Sequence, residues 1–138
     1  LKNLTKKLGI EQNVEFTGRI PDKEMVERLS TCDVGVDPDP LNPLNDKSTM
    51  NKILEYMALE LPVVQYDLTE GRRSAADASL YAEPNNVKEL ATCIEILLAD
   101  PARRHEMGAN GRRRMEEELE WSHQAPKLVA AYDALFTE

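Results

Sequence analysis

The chain lacks most of the features that mark several large protein classes. Its two cysteines, Cys32 and Cys93, stand far apart and show no metal-type or redox spacing. They read as buried free thiols, which fits a reducing compartment. No apolar run is long enough to span a bilayer. The opening LKNLTKKLGI has none of the pattern of a secretory leader. There is no initiator Met, so the start reads as the interior of a longer chain. Excess positive charge is also missing. Lys and Arg number 17 against 25 Asp and Glu, for a net charge of −8. Broad nucleic-acid binding, which rests on phosphate neutralisation, is therefore not expected. The one dense basic run, GRRRM from Gly111 to Met115, is followed at once by EEELE and reads as a solvated helix face. There are two histidines, His105 and His123, both on expected late helices. Neither internal repeats nor low-complexity tracts occur.

What is present suits one globular domain, or a piece of one. The 138 residues are 41% hydrophobic and 30% charged, enough for a core without disulfides. Leu1, Leu4 and Leu8 share a helical face, and Gly9 suits the end of that helix. Val14 and Phe16 alternate in NVEFTG, which predicts a first strand over 13–18. Pro21 opens a helix carrying Met25, Val26 and Leu29 on one side. DVGVDP (33–38) predicts a short strand, and the Pro-, Asn- and Asp-rich stretch 37–48 predicts an irregular connection. Such a long connection in a compact domain is usually functional or mobile.

A helix is expected from about Ser48, as N-cap, to Leu59, with Met50, Ile53, Leu54, Met57 and Ala58 inward. LPVVQYD predicts a strand buried on both faces. LTEGRRSAADA holds a turn and a short helix, and SLYAEP a last strand. The next helix turns Leu90, Ile94, Leu97 and Leu98 inward. Asp100–Pro101 opens another. A final helix from about Ser122 carries Leu128, Val129, Tyr132, Leu135 and Phe136. Strands alternating with helices predict a Rossmann-like parallel sheet covered on both faces, followed by C-terminal helices.

In open parallel sheets, ligands sit beyond the carboxyl ends of the strands. The start of the Ser48 helix lies there, crowded by Lys47, Ser48, Thr49 and Asn51. Helix N-termini offer unpaired N–H groups to anions, although an ordinary capped helix fits the same residues. Glu55 shares a face with Ser48, Lys52 and Leu59. Two readings stand: a solvated ion pair with Lys52, or a carboxylate that accepts hydrogen bonds from the vicinal hydroxyls of a ribose. Asp37 and Asp39 imitate a metal-binding pair, but the prolines around them explain a rigid loop equally well. Arg72 and Arg73 read either as a surface turn or as phosphate contacts. Trp121 and Tyr132 read as packing.

EYMALELPVVQYD resembles the segment E-A-M-A-x-G-x-P-V-V-A of retaining glycosyltransferases of family 4, which have the two-Rossmann-domain (GT-B) architecture. NVEFTGRIPDKEMVERLSTCDVGVDP, ELATCIEILLADPARRHEMGANGRRRM and EWSHQAPKLVAAYDALF resemble that family's flanking segments, in order and at matching spacing. The resemblance implies the C-terminal, donor-binding domain, whose N-terminal acceptor domain precedes Leu1. It places Glu55 on the second glutamate of an E-x(7)-E motif that binds the donor ribose. It places Gly18 and Arg19 beside the nucleobase, and Ser48, Thr49 and Met50 at the diphosphate and sugar.

Three departures stand out. Lys47 replaces the motif's first glutamate, leaving either Asp46 as its substitute or Lys47 itself against an anionic donor group. Glu60 replaces the glycine of the helix-to-strand turn. Lys52 sits three residues before Glu55, and reaches either a phosphate or Glu55. The basic pair that clamps the diphosphate would lie upstream of Leu1.

The resemblance further implies transfer of a sugar from a nucleotide-diphosphate donor to a sugar or lipid-linked acceptor, without metal or other cofactor. Polysaccharide assembly in the cytoplasm is the implied setting, with at most peripheral contact with the membrane. The isolated domain is expected to be inactive. Two rivals share the pattern. A nucleotide-sugar epimerase of the same architecture needs catalytic His, Asp and Glu residues that cannot be placed here. A non-catalytic nucleotide-binding or interaction module draws on the Lys47 and Glu60 departures.

Overall fold

The structure, a computed structural model, describes residues 1–136. Helix α1 (Lys2–Leu8) ends at Gly9, whose φ of 67° is the left-handed conformation that glycine adopts without penalty. Helix α2 spans Asp22–Leu29, with Pro21 as the residue before its first turn. Strand β1 (Gly35–Asp37) leads through the Pro/Asn-rich connection to helix α3 (Asn51–Ala58). Strand β2 (Val63–Tyr66), helix α4 (Thr69–Ala75) and strand β3 (Ser79–Ala82) follow. Helices α5 (Val87–Ala99) and α6 (Pro101–Arg114) come next, then a π-helical turn over Met115–Leu119 and helix α7 (Trp121–Phe136).

The three strands form one parallel sheet in the order β1-β2-β3, with Gly35 opposite Val63 and Val63 opposite Ser79. Strand β2 is central and buried throughout, as its unbroken apolar run requires. Its alternate residues feed two layers. Val64 and Tyr66 pack with Leu90, Cys93 and Leu97 of α5 and Met107 of α6. Val63 packs on the other side with Ile53 and Met57 of α3 and Ala75 of α4. The expected Rossmann-like sheet with helices on both faces is thus observed. Gly35 is required by close approach: a Cβ there would lie 2.4 Å from the Tyr56 ring.

The sequence and the fold part at several points. The strand expected at 13–18 does not form. Val14 is extended, with φ −128° and ψ 118°, but residues 14–17 join no ladder, and Val14 and Phe16 remain exposed. Alternation supplies a strand's faces but not its partner. Cys93 is buried as expected, whereas Cys32 is exposed. On α5 the inward position expected for Leu98 goes to Cys93, and Leu98 is 53% exposed. Trp121 and Tyr132 do not pack into this chain; both are exposed, as is the whole apolar stripe of α7.

The junction from α3 to β2 keeps its turn despite Glu60. The residue holds φ 59°, at a cost of about 1 kcal/mol for a non-glycine. The N–H of Leu61 donates to Tyr56 O and that of Glu60 to Met57 O, the paired bonds that close a helix at a left-handed residue. Helix α6 seals the turn from outside. A Cβ on Gly108 would meet Glu60 O at 2.0 Å, and Arg112 donates to Ala58 O at 2.6 Å. The Glu60 departure therefore leaves the local geometry intact.

Candidate functional site

Because β1 and β2 run parallel, the helices that follow them both begin at the carboxyl edge of the sheet. The structure joins those two starts. Asp46 Oδ1 accepts from the N–H of Thr69, the first residue of α4, at 2.9 Å. Thr49 Oγ1 donates to Glu70 Oε1 at 2.9 Å. The Thr69 N–H, then the Thr69 hydroxyl, hold the Asp46 carboxyl below its ordinary range. Asp46 thus caps the start of α4.

The connection before α3 is tied down rather than loose. Asn42 Oδ1 accepts from the N–H groups of Leu44 and Asn45, Asn45 Nδ2 donates to Pro40 O, and Asn85 Oδ1 accepts from Leu41 N–H. Residues Asn45–Lys47 form a 3-10 turn. Ser48 is extended and donates its hydroxyl to Leu44 O at 2.7 Å, so it does not cap α3. Met50 occupies the cap position. Its side chain has no oxygen to offer, and the first N–H groups of α3 are left uncapped.

Glu55 lies one turn into α3, exposed, and makes no hydrogen bond or ion pair among the described residues. Lys52 does not pair with it. Its Nζ lies 2.9 Å from Asp37 Oδ1 and 2.6 Å from Asp39 Oδ2. Asp37 is only 4% exposed and also accepts from Asp39 N–H at 3.2 Å. Burial raises the Asp37 carboxyl against the pull of Lys52, whereas Lys52 lowers that of Asp39. Burial alone would lower the Lys52 ammonium, but Asp39 and Asp37 outweigh it and raise it. Tyr56 completes the group. Burial pushes its phenol up first, with Lys52 opposing and Asp37 and Glu55 adding.

The other expected site residues are placed as follows. Lys47 is exposed and forms no hydrogen bond or ion pair with described residues. Ser48 and Met50 are half-buried and Thr49 is exposed. Gly18 adopts φ 63° with open space around it, beside an exposed Arg19, and no hydrogen bond ties either to α3. The structure therefore gathers Lys47, Ser48, Thr49, Met50, Lys52 and Glu55 at one helix start, without linking Gly18 and Arg19 to them. Arg72 is engaged: its guanidinium forks onto Asp67 at 2.6 and 2.7 Å and lies 4.0 Å over the Tyr81 ring. A groove of about 820 Å³ adjoins the Thr49–Glu70 contact and is lined by Arg73, Arg114, His123 and Lys127. Glu55 and Lys52 do not line it.

The sequence comparison decides the family. A family model described as "Glycosyl transferases group 1" matches residues 1–114. The chain belongs to this glycosyltransferase family. Among curated relatives of this family member, one from Corynebacterium glutamicum is 30% identical over 87% of the chain and 32% of its own length. It is named as a GDP-mannose-dependent monoacylated alpha-(1-6)-phosphatidylinositol monomannoside mannosyltransferase. The alpha-maltose-1-phosphate synthase of Mycolicibacterium smegmatis is 31% identical over 82% of the chain and 30% of its own length. The solved sucrose-phosphate synthase of Thermosynechococcus elongatus superposes with a TM-score of 0.87 at 26% identity, over 98% of this chain and 33% of its own. The group 1 domain described here is thus of GT-B type, and spans about a third of the length of these relatives. No described helix is long and apolar enough to cross a membrane.

Proposed function

We propose that this group 1 domain is the C-terminal, donor-binding half of a retaining glycosyltransferase of family 4. The full-length enzyme moves a sugar from a nucleotide diphosphate to the hydroxyl of a sugar or lipid-linked acceptor, with retention at the anomeric carbon. One observation carries the reading. At the carboxyl edge of the sheet, the Glu55 carboxylate stands exposed and unpartnered although a lysine sits three residues before it. Two acceptor oxygens suit the two hydroxyls of a ribose.

The start of α3 fits the other end of the donor. Its uncapped N–H groups and positive dipole end favour the diphosphate, including the charge that grows as the diphosphate leaves. Lys47 is the nearby exposed cation. The Asp37–Asp39 pair flanks the Lys52 ammonium, and the proposed chemistry invokes no metal. The GDP-mannose dependence in the name of the corynebacterial relative agrees with a nucleotide-sugar donor. The acceptor site and the basic clamp on the diphosphate belong to an N-terminal domain in this proposal, so the 138-residue chain binds nucleotide but transfers no sugar. The setting is cytoplasmic.

Calorimetric titration of UDP, GDP and ADP into the chain tests the reading. One nucleotide is expected to saturate. Glu55→Ala should weaken it about tenfold, the scale of a hydrogen bond to a charged group. Equal affinity in the variant would remove Glu55 from the donor site. Sugar transfer by the isolated chain would refute the division of labour.

A further inference from the structure

We propose that Asp37 and Asp39 act as a restraint on Lys52, holding its ammonium off Glu55 so that the carboxylate stays open to a diol. The functional half of this statement rests on the reading of Glu55 as the ribose ligand. The restraint itself stands on geometry.

Lys52 and Glu55 are three residues apart on α3, a spacing at which opposite charges on a helix surface meet. Without other partners, the Lys52 ammonium would be free to form this pair. Yet the Lys52 Nζ is bound by two other carboxylates at 2.9 and 2.6 Å, and Glu55 has no partner. Those two carboxylates lie 13 and 15 residues earlier in the chain, at and just beyond the end of β1. They are fixed in advance. Asp37 is in the sheet, nearly fully buried, and its Oδ1 also receives the Asp39 N–H. Asp39 stands between Pro38 and Pro40, whose rings restrict the backbone on both sides. The contact is partly shielded from water, which strengthens it over a solvent-exposed pair one turn along the helix.

The arrangement has a charge consequence. Two aspartates and one lysine leave this cluster with one net negative charge, so Lys52 is committed and does not neutralise Glu55. Asp37 and Asp39 are therefore positioning residues: they act on the ligand through where they keep the lysine.

Zero-length carbodiimide coupling followed by peptide mass spectrometry tests the restraint on the 138-residue chain. In the parent, Lys52 is expected to couple to Asp37 or Asp39. In Asp37→Asn with Asp39→Ala, where the asparagine preserves an acceptor for the backbone, Lys52 is expected to couple to Glu55. If Lys52–Glu55 coupling does not rise in the variant, the restraint is overturned. Should the double variant fail to fold by circular dichroism, Asp37→Asn with Asp39→Asn, which keeps both side-chain shapes, is read in the same way.

Titration of UDP, GDP and ADP gives the functional arm. The double variant should bind the saturating nucleotide at least threefold more weakly, and adding Lys52→Met should return affinity to within twofold of the parent. A loss that Lys52→Met does not restore would make the aspartates merely structural and overturn the proposal. If Glu55→Ala leaves binding unchanged, or none of the three nucleotides binds, the ribose reading falls. The coupling result then still decides the restraint.

Discussion

The middle of the chain and its two ends are built on different terms. Every buried residue among those described lies between Gly35 and Gly111, while α1, α2 and α7 contain none. The ends are not poor in apolar side chains. Leu1, Leu4, Leu8 and Phe16 at one end, and Leu128, Val129, Tyr132, Leu135 and Phe136 at the other, are all exposed. An amphipathic stripe reports a face that wants cover, and whether cover arrives is a tertiary matter. Stability should accordingly sit in the centre.

The strongest way to break that contrast is a pair of truncations. Ile53→Ala removes a side chain with no exposed surface, and should cost about 3 kcal/mol in urea unfolding. Leu135→Ala, on a residue 73% exposed, should stay within about 0.5 kcal/mol of the parent. Similar losses would mean that α7 packs in solution. A smaller effect sharpens the boundary of the centre. Glu60→Gly should raise stability by about 1 kcal/mol, because it relieves a left-handed backbone without removing a buried contact. A fall in the unfolding midpoint would show instead that the glutamate side chain contributes.

The smallest effect is tied to pH. The side-chain hydrogen bond from Arg72 holds the Asp67 carboxyl below its ordinary value of 3.8. A depressed native pKa gives stability that is complete above that ordinary value and is lost as pH falls through the native one. Asp67→Asn should therefore cost no more than about 1 kcal/mol at neutral pH, the scale of an exposed pair. Parent and variant should converge in acid. A gap that persists in acid would assign the loss to something other than the charge.

Much of the centre was legible in the sequence because its signals are local. The β-branched run of β2, the stripe of α3 and the Asp100–Pro101 start of α6 all state their own structure. Asp100 does accept from Arg103 N–H as a cap should. What escaped was non-local. Val14 and Phe16 alternate correctly, but a strand also needs a neighbour. Ser48 looked like a cap until the Asn45–Lys47 turn drew its hydroxyl back to Leu44. For Lys52 the sequence offers a phosphate or Glu55, whereas its partners in the fold are Asp37 at the end of β1 and Asp39 just beyond it. The signal that could have found them is the run DPDP, whose prolines fix two carboxylates at a strand end. The grouping of Lys47 to Met50 with Glu55 was visible as one helix start. The capping of α4 by Asp46 was not, because the two lie 23 residues apart.

Helix α4 has seven residues, too few to hold together alone in water. Its first turn is fastened by Asp46 and Thr49, and its last by Arg114, which donates to the carbonyls of Arg73 and Ser74 from about 40 residues away. Neither fastening is local, which predicts that α4 orders late in folding and that its amides exchange with solvent in the same opening event as the 45–50 loop. The carboxyl edge of the sheet would then loosen and close as one unit.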